Sequence, residues 1–146
     1  MMTRRCYTIG YEGVTQAEFI AALKAAGIAR LIDVRAIAAS RRPGFSKTIL
    51  SNSLAEHNIG YVHLRALGTP AAGREAARAG RIDDLRRIYA AQLDLPEALV
   101  AAEQLKALAA EAPSALLCYE RAPDACHRSL LHAAVLPDWE RIDLFA

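Results

Sequence analysis

The sequence predicts an α/β domain, with a mostly parallel central sheet of about five strands flanked by helices on both faces, built by residues 1–146 as one unit. Three features point to it. Short apolar runs alternate with helical periodicity from one end of the chain to the other. Those runs lack strict apolar–polar alternation, as expected of strands covered on both faces. No repeat, low-complexity linker or break in composition divides the 146 residues, a length that suits one core of about 100–200 residues.

Residues 5–10 read as a short buried strand ending at Gly10. Thr15 and Glu18 form a capping box, each side chain placed to satisfy an orphan amide of the helix carrying Phe19, Ile20 and Leu23. Gly27 stops that helix. A second strand covers 30–35, and Pro43 with Gly44 makes the following stretch a loop. A helix over about 47–57 leads through Gly60 into a third strand, Tyr61 to Leu64. The glycines and proline of 65–80 read as a loop. Two helices follow, about 82–93 and 96–111, the second opening with Pro96 where its missing amide costs nothing. Ser114 to Tyr119 is a fourth strand, 126–135 a helix and Glu140 to Phe145 a last strand.

With 53% hydrophobic and 23% charged residues the chain is no disordered tail. It has no apolar run of about 18 residues, so no membrane span is expected. A net charge of +2 argues against a broad basic surface, leaving local clusters to do any anion binding. Of the basic residues 15 are Arg and 3 are Lys, and 31 residues are Ala, a bias that carries little function by itself. Cys6, Cys118 and Cys126 are an odd number behind no secretory leader, so a cytoplasmic protein with uncrosslinked cysteines is expected. No metal site is expected, because the close Cys-x2–4-Cys knuckle is missing.

In open α/β sheets ligands bind beyond the carboxyl ends of the strands. Gly10-Tyr11-Glu12-Gly13, Asp33-Val34-Arg35, His63 and Cys118-Tyr119-Glu120 all fall there. Asp124 reads as an N-cap that places Cys126, His127 and Arg128 in a first helical turn, where amides and the helix dipole favour an anion. A thiol so placed can become a nucleophile, or it can simply pack, as Cys118 within its apolar strand is expected to do. Arg35, Arg41, Arg42 and Arg128 are the candidate anion ligands, because guanidinium forks match phosphate and carboxylate. Gly44 exposes backbone amides, and Phe45 among these bases offers a face for stacking a nucleobase. Asp33 is a candidate base or a partner orienting Arg35, and Glu120 is the better acid/base. The arginines from Arg74 to Arg87 read as a solvated helix face. The chain has no Gly-x-x-x-x-Gly-Lys, Gly-x-Gly-x-x-Gly or Gly-x-Ser-x-Gly motif.

Taken in order, Tyr7 to Gly13, Asp33 to Arg35, Ser40 to Lys47, Tyr61 to Leu64 with Leu67-Gly68, and Cys118 to Glu120 through Cys126 to Arg128 resemble the domain-of-unknown-function-488 family across about residues 6–145. The resemblance implies a small bacterial or archaeal α/β protein and attaches no reaction to it. Its recurring polar positions fall on Gly10, Asp33, Arg35, Arg41 to Phe45, Cys118, Glu120 and Cys126 to Arg128. Many relatives have Gly-His-Ser where this chain has Gly10-Tyr11-Glu12, and 65–95 is the least family-like stretch.

The leading expectation is an enzyme or enzyme-like domain holding a small phosphate-containing anion, a nucleotide or nucleic-acid end, on these arginines. Glu120, Asp33, Cys126 and His127 are its candidate catalytic residues, with Gly10, Tyr11, Gly44, Phe45 and Cys118 in support. The alternatives are a non-catalytic nucleic-acid-binding module and a cysteine-based redox or sulfur-transfer protein. No cofactor is identified, and a homo-oligomer is compatible with the sequence without being readable from it.

Overall fold

The computed structural model describes residues 4–121 and 127–146. In chain order they form β1 (Arg5–Gly10), α1 (Gln16–Ala25), β2 (Arg30–Asp33), α2 (Lys47–Ala55), β3 (Gly60–His63), a 3-10 turn (Arg65–Leu67), α3 (Ala71–Arg78), α4 (Ile82–Leu93), α5 (Pro96–Glu111), β4 (Ser114–Cys118), α6 (Arg128–Val135) and β5 (Glu140–Leu144). The strands make one five-stranded parallel sheet in the order β3-β2-β4-β1-β5. The fold is therefore the single-sheet α/β domain that the alternating pattern predicts, with strand ends within one or two residues of those expected.

Side chains alternate across the strands and build two cores. Ile9, Leu31, Ala115 and Leu117 face α1 and α2 through Phe19, Leu23, Leu50 and Leu54. Cys6, Ile32, Val34 and Leu116 face the other way, against Tyr89 of α4, Ala101 and Leu105 of α5 and Leu131 of α6. Each fully buried leucine contributes about 1.5–3 kcal/mol. The capping box of α1 forms as expected, Thr15 N donating to Glu18 Oε1 at 2.9 Å and Glu18 N to Thr15 Oγ1 at 3.2 Å.

Two expectations are corrected. The stretch 65–80 is not a loop but holds the 3-10 turn and α3. Its Pro70 stands at the N-cap, and Gly73 lies inside the helix where a Cβ would come 2.5 Å from Thr69 Cγ2. The residues that look like helix breakers thus mark a boundary and a close contact. The last helix begins at Arg128 with His127 at its N-cap, rather than at 126. Asp124 and Cys126, with the cap and thiol readings attached to them, lie outside the described residues.

The strand order creates a switch point. From β1 the chain crosses over to β2 by way of α1 on one face, while from β4 it returns past β1 to β5 by way of α6 on the other. The neighbouring carboxyl ends of β1 and β4 therefore flank the crevice where α/β sheets take ligands. Among the described residues no helix is long and apolar enough to cross a membrane.

Candidate functional site

Beyond β2, Asp33 and Arg35 form a buried clamp, 0% and 6% exposed. Arg35 Nε donates to Asp33 Oδ1 at 2.9 Å and Nη2 to Oδ2 at 2.7 Å, a two-pronged pair with the fork geometry carboxylates favour. Arg35 Nη1 reaches the Phe45 carbonyl at 2.8 Å and Tyr11 Oη at 3.3 Å, tying β1 and β2 to the loop before α2. Tyr61 Oη donates to Asp33 Oδ2, and His63 Nε2 lies 2.7 Å from the Arg35 carbonyl, so β3 joins the same network. Burial opposes the Arg35 charge, but the hydrogen bond and charge of Asp33 outweigh it and hold the guanidinium above its ordinary range. Burial, then Asp33, also pushes the Tyr61 hydroxyl up. Asp33 is thereby the orienting partner of Arg35, and its two oxygens are taken.

The loop that follows is built inward. Phe45 is 0% exposed, stacked on Tyr11 at 4.5 Å and set edge-on to Phe19 at 5.3 Å, so it presents no face to a nucleobase. Gly44, at φ +91°, supplies the left-handed turn that swings Phe45 into the core. Its carbonyl accepts from Gln16 Nε2 at 2.7 Å. Arg42 spends Nε and Nη2 on the Val14 carbonyl at 3.1 and 2.5 Å. Arg41 remains exposed.

At the switch point the backbones of β1 and β4 close on each other. Tyr11 N and Glu12 N both donate to the Tyr119 carbonyl, at 3.1 and 2.8 Å, and a Cβ on Gly10 would stand 1.8 Å from the Glu120 carbonyl oxygen. Arg128, 0% exposed, donates from Nη2 to the carbonyls of Glu120 at 2.5 Å and Arg121 at 3.3 Å, holding this turn from below. Burial lowers its guanidinium to about 10 against the pull of Asp143 and Glu120. Cys118 Sγ lies 3.5 Å from Glu120 Oε2. Cys118 is disulfide-bonded, a correction to the expectation of uncrosslinked cysteines; Cys6 is a free thiol, pushed up to about 12 by burial.

A cavity of about 290 Å³ opens beside this turn, with Tyr11, Arg35, Thr69, Arg74, Glu120 and His127 on its wall. Ile37 and Leu85 supply its apolar side. Burial raises the Glu120 carboxyl, against Arg128 and Arg78 and with help from Glu12. Burial likewise lowers the His127 imidazole to about 4, so the ring is neutral at neutral pH. His127 Nε2 is 2.7 Å from the Val34 carbonyl, which can only accept; Nε2 therefore carries the proton and Nδ1 the lone pair. Because the unfolded imidazole titrates near 6.5, the stabilisation held by neutral His127 is complete above that pH and is lost as pH falls toward about 4. Urea unfolding at pH 7 and pH 5 is expected to show a loss of about 2 kcal/mol that His127→Asn lacks. Equal pH slopes for the two proteins would remove this origin.

The structure thus brings Tyr11, Arg35, Cys118, Glu120 and His127 to one cavity and leaves Phe45, Asp33, Arg42 and Arg128 behind it as supports. Arg41 is not on the wall of this cavity. Two polar lining residues, Thr69 and Arg74, are not among the site residues expected from the sequence. Arg74 Nη1 donates to the Thr69 carbonyl at 2.8 Å and the side chain is half-buried, rather than part of a solvated face. The signal was present as Thr69-Pro70 before a helical run with Arg74 one turn in. Among the described residues no group of three or more His, Cys, Asp or Glu side chains is placed to hold a metal ion.

Fold and site together define a parallel α/β protein with a cavity at the carboxyl edge of its sheet, apolar over much of its wall and carrying Arg35, Arg74, Glu120 and His127. The chain belongs to the DUF488 family, a domain of unknown function, whose model matches residues 15–135. No curated protein and no solved structure matches it.

Proposed function

We propose that this cavity binds a small anionic, phosphate-containing ligand and that the domain acts on it as an enzyme. The observation that carries this reading is Arg74, a half-buried cation on the cavity wall that donates to a neutral carbonyl, that of Thr69. Arg35, on the same wall, is balanced by Asp33. Glu120 and His127 stand on the same wall as groups for proton transfer: a carboxyl whose hold on its proton burial strengthens, and a neutral imidazole that can accept at Nδ1.

A nucleic-acid-binding module is the weaker reading, since Phe45 is in the core and Arg35 and Arg42 are engaged within the protein. Titration with inorganic phosphate by calorimetry tests the proposal. Arg74→Ala is expected to weaken binding about tenfold, the value of one charge-assisted contact, while Arg41→Ala leaves it unchanged. Equal affinity in wild type and Arg74→Ala refutes the assignment.

A further inference from the structure

We propose that the ligand is a nucleoside monophosphate, its phosphate against Arg74 and its nucleoside in a second cavity that adjoins the first. This deepens the phosphate reading and rests on it. The second cavity has a volume of about 580 Å³ and shares Ala36, Ile37 and Arg74 with the first. At about 290 Å³ the first is at the lower limit for a small-molecule site, roughly 300–1,000 Å³, whereas the two taken together, with Ala36, Ile37 and Arg74 on both walls, fall within that range. A free phosphate would fill only the inner part.

The chemistry of the outer wall selects what accompanies the phosphate. Its ionisable groups besides Arg74 are Arg65 and Glu97, one of each sign, so it has no excess of cations to hold further phosphates. The companion group is therefore uncharged. Glu97 is exposed, and Gln92 donates its Nε2 to the Ala66 carbonyl at 2.9 Å, leaving Oε1 as an acceptor. A carboxylate and an amide oxygen match the hydroxyls of a sugar and the amine of a base. Ile37, 59% exposed and common to both cavities, is an apolar surface beside the phosphate position, suited to the flat face of a base. A sugar phosphate would satisfy the acceptors but leave Ile37 in water.

Calorimetric titration with inorganic phosphate, ribose 5-phosphate and adenosine 5′-monophosphate tests the assignment. In wild type the nucleotide is expected to bind at least about tenfold tighter than phosphate. Glu97→Ala and Gln92→Ala should each cut nucleotide affinity about fivefold while phosphate affinity stays within about twofold. Nucleotide binding no tighter than phosphate, or unaffected by both variants, overturns the second cavity as a nucleoside site. Ribose 5-phosphate binding as tightly as the nucleotide overturns the nucleoside in favour of a sugar phosphate. Failure of all three compounds to bind wild type overturns the phosphate reading itself, a result distinct from the others.

Discussion

Asp33→Asn is expected to cost the fold about 3–5 kcal/mol, because it leaves the Arg35 guanidinium charged, buried and without its counter-ion. The carboxylate is 0% exposed and accepts from the Arg35 backbone, Arg35 Nε and Nη2 and the Tyr61 hydroxyl. An uncharged amide replaces two acceptor oxygens with one and turns its NH2 toward these donors. The pair itself is not worth that much, since desolvating both ions offsets most of their attraction. The double variant Asp33→Asn with Arg35→Met should therefore recover part of the loss. Urea unfolding of the four proteins in a double-mutant cycle measures the coupling. A single-variant cost below about 1 kcal/mol would show that this pair does not clamp the site.

Gly10→Ala is expected to be nearly as damaging, at about 3 kcal/mol or more. Its Cβ would stand 1.8 Å from the carbonyl oxygen and 2.5 Å from the carbonyl carbon of Glu120, both backbone atoms that cannot turn aside. Relief requires parting β1 from β4, which lose the bonds of Tyr11 and Glu12 to Tyr119 and displace Glu120 from the cavity. Gly13→Ala is the matching control. That residue has φ +76° and open space around it, so only the left-handed penalty of about 1–2 kcal/mol applies. Unfolding free energies of similar size for the two variants would contradict the close approach as the reason for glycine at position 10.

Legibility in the sequence followed how local the determining physics is. The capping box at Thr15 and Glu18 is a three-residue device, and the apolar strands declare burial through composition alone. The convergence of Tyr11, Arg35, Cys118 and Glu120 followed from one topological rule about strand ends. Phe45 was misjudged because an aromatic among Arg, Pro and Gly looks exposed; its place is set by Tyr11 and Phe19, about 26 to 34 residues earlier in the chain. Arg35 looked like a ligand fork, yet Asp33 stands two residues away, on the same side of an extended chain. Arg74 was lost among the other arginines of its stretch, since only the packing of α3 on Thr69 and Leu85 separates it from them.

The place of β4 in the sheet has a consequence for how the protein is made. β1 and β2 share no ladder; each is hydrogen-bonded to β4, which fills the slot between them and follows both in the chain. A nascent chain carrying residues up to about 113 holds β2 with β3 and a solitary β1, without the strand that unites them. Ribosomal synthesis at about 5–20 residues per second leaves that gap open for several seconds. The cavity is thus a late product of synthesis: its wall forms only after Ser114–Cys118 has entered between β1 and β2 and the chain has delivered Glu120 and His127 behind it.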